Sequence, residues 1–112
     1  MELIPLMSLI INALSMVDEQ VGFEADWVKE HKFLKVTEQQ LLELRAETFV
    51  RAKEQSELGT AYGEIWTKFR DMDALCKAHY HINKALFWTS LEVEIQLKLK
   101  ELDMDIQIKE HK

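Results

Sequence analysis

The scarcity of glycine and proline is the feature of this sequence that most limits its possible folds. The chain of 112 residues contains three glycines and one proline. Sheet proteins need many tight turns, and tight turns usually need these two residue types. The composition therefore predicts a mainly α-helical protein, an antiparallel hairpin or bundle of three to four helices. No linker rich in Pro, Gly or Ser interrupts the chain, so we expect residues 1–112 to form a single helical domain.

The N-terminal segment 3–21 is the most apolar part of the chain. Four of its polar residues are spaced as one narrow stripe on a helix: Ser8, Asn12, Ser15 and Glu19. A helix that is apolar on most of its circumference must be surrounded by its own domain or by a second subunit. The apolar run is shorter than the ~20 residues that span a bilayer and follows the acidic Glu2, so we expect neither a membrane helix nor a signal peptide.

Two signals for helix starts come next. Asp26 is a suitable cap for a short helix from Trp27 to Leu34. Thr37 and Gln40 have the spacing of a capping box, in which each residue's side chain satisfies the other's backbone N–H. This pair predicts a longer helix that runs to about Leu58.

The clearest periodicity in the chain begins at the end of that helix. Six residues recur at alternating intervals of four and three, as in a coiled-coil seam: Leu58, Tyr62, Ile65, Phe69, Met72 and Cys76. The same spacing continues to His79 and Asn83, where a buried polar seam would fix register or partner choice, unless the seam has left the core by that point. Gly59 either ends the preceding helix or, with Gly63, lets a neighbouring backbone approach closely, and we favour the helix end.

Residues 91–108 permit two interpretations. Apolar and polar residues alternate through 91–99 and, after a shift of phase at Lys100-Glu101, alternate again through 102–108. Folded as a C-terminal β-hairpin, the segment places every apolar side chain on one face, and we favour this form. As a further helix, which would make the protein all-α, it carries two opposed apolar stripes and must lie between two layers. One stripe would hold Leu91, Ile95, Leu99, Leu102 and Ile106, and the other Val93, Leu97, Met104 and Ile108.

The charge pattern excludes some classes of partner. The net charge is −6, and cationic residues are interleaved with acidic ones rather than clustered. Direct nucleic-acid binding and binding to anionic membranes are therefore not expected, because both need a basic patch. The single cysteine, Cys76, fits a reducing compartment, and we expect a cytoplasmic protein.

The strongest candidate for chemistry is a group of three residues near the end of the seam. Asp73, Cys76 and His79 could contribute to a metal site, but one helix supplies only two or three ligands and no second cluster follows. A nucleophilic Cys76 would also lack hydrogen-bond donors, because backbone N–H groups in mid-helix are already used. We therefore assign no catalytic residue, metal or cofactor and do not expect an enzyme. A metal-binding helical protein remains an alternative.

The surplus of apolar surface leads to the functional hypothesis. We expect a protein–protein interaction module that acts by stoichiometric binding, as an adaptor, inhibitor or regulator, and that forms a homo-oligomer, a dimer first of all. Its other partner would be a protein of unspecified identity. The expected interface residues are Ile10, Leu14, Trp27, Leu58, Tyr62, Ile65, Trp66, Phe69, Met72, Phe87 and Trp88. A further alternative is an acidic decoy of nucleic acid that blocks a basic groove on a DNA- or RNA-binding protein.

Overall fold

Two long helices dominate the structure. The computed structural model describes the backbone of residues 2–110 and the side chains of residues 2–103. The elements run β1 (Ile4–Pro5), α1 (Met7–Leu14), α2 (Ala25–His31), β2 (Lys35–Val36), α3 (Glu38–Phe69) and α4 (Met72–Glu110). Helices α3 and α4 pack against each other as an antiparallel hairpin, and α1 packs on α4. The prediction of a mainly α-helical protein built on such a hairpin is confirmed.

The start of α3 follows the predicted capping box. The Thr37 hydroxyl accepts a hydrogen bond from the backbone N–H of Gln40 at 3.1 Å. The Gln40 side-chain oxygen accepts one from the backbone N–H of Thr37 at 2.9 Å. The two residues thus satisfy N–H groups that a helix start otherwise leaves without partners.

Helix α3 continues through Gly59, so the favoured helix end at this residue is wrong. Gly59 is buried, and a Cβ atom on it would lie 2.7 Å from the Cγ1 atom of Ile82 on α4. A side chain at this position would overlap α4, which explains why a glycine is tolerated in mid-helix. Of the two glycines of α3, only Gly59 has this close approach, because a Cβ on Gly63 would meet no atom within 4 Å.

A two-residue turn joins α3 to α4. Arg70 has the left-handed conformation, with φ 53° and ψ 35°, and its N–H donates to the Trp66 carbonyl at 2.7 Å. The Asp71 carboxylate accepts hydrogen bonds from the backbone N–H groups of Asp73 and Ala74, which caps the start of α4. These two local motifs reverse the chain direction.

The position of this turn contradicts the predicted continuous seam. A continuous helical seam from Leu58 to Cys76 is wrong, because the chain reverses at Arg70. Leu58, Tyr62, Ile65 and Phe69 lie on α3, whereas Met72 and Cys76 lie at the start of α4.

The C-terminal β-hairpin predicted for residues 91–108 is wrong, and the helical alternative is confirmed because α4 runs through Glu110. Extending an existing helix fixes one residue for each new hydrogen bond, whereas a hairpin needs a favourable turn that Lys100-Glu101 does not supply. Leu91 and Ile95 of the first predicted stripe are buried in the core. The side chains of Met104, Ile106 and Ile108 lie outside the described residues.

The N-terminal segment is less helical than expected. Instead of one helix over 3–21, β1 pairs antiparallel with β2, and α1 follows as a helix of eight residues. Ser15 ends α1 with its hydroxyl donating to the Asn12 carbonyl at 2.6 Å. The next helix, predicted over 27–34, covers Ala25–His31. Among the described residues, no helix has the combination of length and apolarity needed to cross a membrane.

The hydrophobic core occupies one end of the hairpin. It joins the N-terminal segment, the first turns of α3 and the middle of α4: Ile4, Leu6, Leu9, Ile10, Ala13, Trp27, Val28, Leu41, Leu44, Phe87, Trp88, Leu91 and Ile95. Residues 56–79, here called the arm, extend beyond this core and are all described. The arm buries only Gly59, Ala74 and Ala78, so it is a narrow two-helix projection.

Candidate interaction surfaces

Four of the predicted interface residues form the centre of the core instead of an exposed surface. The Trp27 ring lies edge-on to those of Trp88 and Phe87, with ring centroids 5.0 Å and 6.2 Å away. Ile10 is fully buried beside them, and Leu14 packs against the same cluster. The Arg51 guanidinium covers the Trp88 ring at 4.9 Å. These side chains stabilise the chain's own fold and leave little area for a partner.

One face of α4 holds the N-terminal segment through polar contacts. Asn83, one of the two predicted polar seam residues, is buried, and its side-chain oxygen accepts from the Asp18 N–H at 2.9 Å. Its amide group donates to the carbonyls of Asp18 and Gly22. Asn83 therefore fixes a loop of the same chain. His79, the other predicted polar seam residue, is exposed.

A half-buried ion pair adds to this attachment. The Lys84 ammonium lies 3.4 Å from the Glu24 carboxylate and 4.4 Å from the centre of the Tyr80 ring. Burial alone would lower the pKa of Lys84, but the Tyr80 hydroxyl and the Glu24 carboxylate together raise it. Further along the same face, the Asn12 amide donates to Glu94 at 3.2 Å.

A second face of α4 packs on α3 and includes a histidine. The His81 ring is parallel to the Tyr62 ring, with centroids 5.6 Å apart, and its Nδ1 atom lies 2.7 Å from the Gln55 side-chain oxygen. Burial lowers the pKa of His81, and the positive charge of Lys84 lowers it further. Folding therefore favours the neutral form of the His81 ring. Tyr62, a predicted interface residue, is half-buried by this stacking.

The third face of α4 is apolar and largely exposed, although the Ile82 side chain also approaches Gly59 of α3. Its side chains, here called the α4 stripe, are Ile82, Leu86, Val93 and Leu97, which are 52%, 41%, 48% and 57% exposed. Beside it, an open groove connects the two long helices. The groove is lined by Leu42, Arg45, Ala46, Phe49 and Val50 of α3 and by Glu92 of α4. Leu42 and Phe49 are themselves exposed and extend the apolar surface toward α3.

The arm carries a second exposed apolar surface. Leu58, Ile65, Phe69 and Met72, here called the arm surface, are 42%, 39%, 74% and 61% exposed. All four are predicted interface residues, and the first three follow at helical spacing on one side of α3. Trp66 is half-buried under the Arg70 guanidinium, which lies 5.2 Å from its ring.

The candidate metal ligands do not form a site. Asp73 pairs with Lys77 at 2.9 Å, and this hydrogen-bonded carboxylate raises the pKa of Lys77. Cys76 and His79 are both exposed. Within the part of the chain that the structure describes, no three His, Cys, Asp or Glu residues come together in a way that could hold a metal ion.

The four residues of the arm surface are among the predicted interface residues, whereas none of the four residues of the α4 stripe is. The available signal was the second apolar stripe of the helical alternative, which included Val93 and Leu97. Ile82 and Leu86 continue that stripe toward the start of α4, on the same side of the helix.

Comparison with known proteins gives no family assignment. No protein-family profile, curated protein sequence or solved structure is significantly similar to this chain. The functional argument below therefore depends on the geometry and chemistry of the two exposed surfaces.

Proposed function

We propose that this chain is a non-enzymatic protein–protein interaction module that acts by stoichiometric binding and works as a homodimer. The observation that supports it most is the α4 stripe, an ordered row of four exposed aliphatic side chains on a helix whose other apolar stripe is in the core. A helix with two apolar stripes is stable in water when both are covered. The chain covers one of them, and a partner covers the other.

The size of the exposed surface favours a reversible association. Burying a half-exposed aliphatic or aromatic side chain contributes about 1 kcal/mol, so the stripe with Leu42 and Phe49 contributes about 10 kcal/mol from two copies. Association costs about 4 to 15 kcal/mol in lost freedom of movement. Because the gain and the cost are of similar size, the proposed dimer is weak and should dissociate on dilution.

The arm surface supports binding to a second protein. Phe69 and Met72 lie at the far end of the arm, beyond the hydrophobic core. Exposed aromatic and methionine side chains are enriched at binding surfaces because they bury a large apolar area on contact. In this proposal the dimer presents two arms to its partner, which fits an adaptor or regulator.

Sedimentation equilibrium over a wide range of concentrations tests the dimer. We expect the average mass to rise from the 13.2 kDa of one chain toward twice that value. The dimer should persist in high salt, because apolar burial is not screened by ions, whereas a contact between charged surfaces weakens. A chain that stays monomeric up to its solubility limit contradicts the proposal.

A further inference from the structure

We infer that protonation of His81 opens the arm locally, so that the arm is ordered at neutral pH and loosened in mild acid while the core around Trp88 stays folded. Four side chains at the base of the arm, here called the His81 cluster, are responsible: Gln55, Tyr62, Tyr80 and His81. The opening takes place within one chain, whether or not that chain forms a dimer.

The His81 cluster connects the two long helices at the point where the arm begins. Gln55 immediately precedes the arm on α3, and His81 lies two residues beyond its other end on α4. The His81 ring contacts both Gln55 and Tyr62, which are about two helical turns apart on α3. A single ring on α4 therefore binds two successive turns of α3 at the base of the arm.

The rest of the arm is packed by small residues. Its only buried residues are Gly59, Ala74 and Ala78, and Gly59 lies against the backbone of α4 and the Ile82 side chain. Small residues bury little apolar area, so the free energy that keeps the arm closed is small. The half-buried His81 ring therefore contributes a substantial share of it.

The cover over the ring distinguishes its neutral form from its charged form. The Gln55 side-chain oxygen can only accept, so Nδ1 of His81 donates their hydrogen bond of 2.7 Å, and a protonated ring could still donate it. The Tyr62 ring lies parallel to His81, and the Tyr80 ring lies nearly perpendicular to it, 5.2 Å away. Because these contacts exclude water, they disfavour the charged form of the ring.

The charges nearest to the cluster are positive. The Lys77 ammonium lies 5.5 Å from the centre of the tyrosine ring parallel to His81, and the Lys84 ammonium lies 4.4 Å from the centre of the perpendicular one. Asp73 of α4 pairs with Lys77, and Glu24, just before α2, pairs with Lys84. From α3, the ring contacts only the neutral amide and phenol of the cluster. A protonated His81 would therefore be a third cation in this group.

Opening of the arm removes the cover that α3 provides. In the closed arm, burial and then the charge of Lys84 hold the pKa of His81 below the ordinary 6.5. When Tyr62 separates from α4, the ring returns to water and its pKa rises toward that value. Below pH 6.5 the open arm therefore binds a proton that the closed arm does not, and opening becomes more favourable. Well above pH 6.5 neither form binds it, and the arm is most ordered.

Hydrogen exchange of single amides, followed by NMR and corrected for the intrinsic rate at each pH, tests this opening. Between pH 7.5 and pH 5, the protection of amides in residues 60–78 should fall by at least about twofold, because proton uptake favours the open form. His81→Gln cannot titrate and should remove the decrease. The matched substitution His79→Gln, at an exposed position, should keep it. A decrease of equal size in both variants would overturn the inference.

Low concentrations of urea show whether the opening is local. Opening of the arm exposes little surface, so exchange within it should depend weakly on urea. Amides near Trp88 exchange only when the core unfolds and should depend strongly on urea. Arm amides with the same protection and the same urea dependence as those near Trp88 would mean that the arm does not open by itself, which contradicts the inference.

Titration of the His81 ring by NMR measures the same coupling from the other side. In the unmodified protein the pKa of His81 should lie below 6.5. Tyr62→Ala removes the cover from α3 and should raise this pKa toward 6.5, whereas Tyr62→Phe keeps a stacked ring and should leave it low. Circular dichroism checks that both variants fold. A pKa of His81 at or above 6.5 in the unmodified protein, or one that Tyr62→Ala does not change, would overturn the inference.

Discussion

The side-chain amide of Asn83, in the first third of α4, donates a hydrogen bond to the carbonyl of Gly22, 61 residues earlier in the chain. The same side chain both accepts from and donates to the backbone of Asp18. Gly22 has φ 130°, and a Cβ on it would overlap the Tyr80 ring. One buried amide and one glycine thus fix the loop between α1 and α2 on the hairpin.

Asn83→Ala should therefore lower the free energy of unfolding by about 2 to 4 kcal/mol, because it removes three part-buried hydrogen bonds to the backbone of Asp18 and Gly22. Urea unfolding followed by circular dichroism measures this change. The matched control is Asn12→Ala, which removes an exposed hydrogen bond and should change the stability by less than about 0.5 kcal/mol. Equal effects of the two substitutions would show that Asn83 does not hold the loop.

Two glycines of α3 should respond in different ways to alanine. Gly63→Ala should raise the stability by about 0.5 to 1 kcal/mol, because alanine favours helix and the new Cβ meets open space. Gly59→Ala gains the same propensity but forces its Cβ against Ile82, an overpacking that costs about 1 to 3 kcal/mol. Thermal unfolding should therefore place Gly63→Ala well above Gly59→Ala. In the Ile82→Ala background the difference should shrink.

The stability of the protein should fall in mild acid partly through His81. Its pKa in the folded chain lies below the ordinary 6.5, because burial, followed by the charge of Lys84, disfavours the protonated ring. Well above pH 6.5 the ring is neutral in both states and this contribution is complete. As the pH falls below 6.5, the unfolded chain takes up a proton that the folded chain does not, and stability is lost.

Urea unfolding at a series of pH values between 8 and 5 measures this loss. His81→Gln keeps a polar side chain near Gln55 but does not titrate, so its stability should depend less on pH. His79→Gln, at an exposed position two residues earlier on α4, serves as the matched substitution and should keep the slope of the unmodified protein. A slope unaffected by His81→Gln would rule out the contribution.

Arg70→Gly should stabilise the hairpin turn. Arg70 is in the left-handed conformation, which costs a residue with a Cβ roughly 1 to 2 kcal/mol. Glycine adopts this conformation without that cost. The substitution also removes the contact between the Arg70 guanidinium and Trp66, worth about 0.5 to 1 kcal/mol at an exposed site. A net gain of about 0.5 to 1 kcal/mol in chemical unfolding is expected. Lys68→Gly, in the right-handed last turn of α3, should instead destabilise.

Local signals predicted the parts of this fold that depend on neighbouring residues. The capping box of Thr37 and Gln40 needs only its own two side chains, and the structure contains it. The few glycines and the single proline correctly indicated long helices. The continuous seam failed at Arg70, because a non-glycine residue in the left-handed region gives no sequence signal, and the Asp71 cap is recognisable only once the turn is known.

The errors in the rest of the fold come from contacts between distant residues. The alternation through 91–99 fits a strand and a two-striped helix equally well, and the choice depends on the core that Leu91 and Ile95 enter. The sequence around Gly59 alone favours a helix end, but in the structure this glycine makes room for Ile82 of α4. For the candidate surfaces, the sequence indicated which residues are apolar. It did not separate Trp27 and Trp88, which are buried, from Phe69, which is exposed.

The unequal distribution of buried side chains along the hairpin has a dynamic consequence. Aromatic and large aliphatic side chains stabilise the end near the N-terminal segment, whereas the only buried residues of the arm are the small Gly59, Ala74 and Ala78. Local opening costs less free energy where few apolar contacts must be broken. Backbone amides near Arg70 should therefore exchange with deuterium well before those near Trp88. The end of the arm can then change its local conformation on contact with a partner, while the core around Trp27 and Trp88 stays folded.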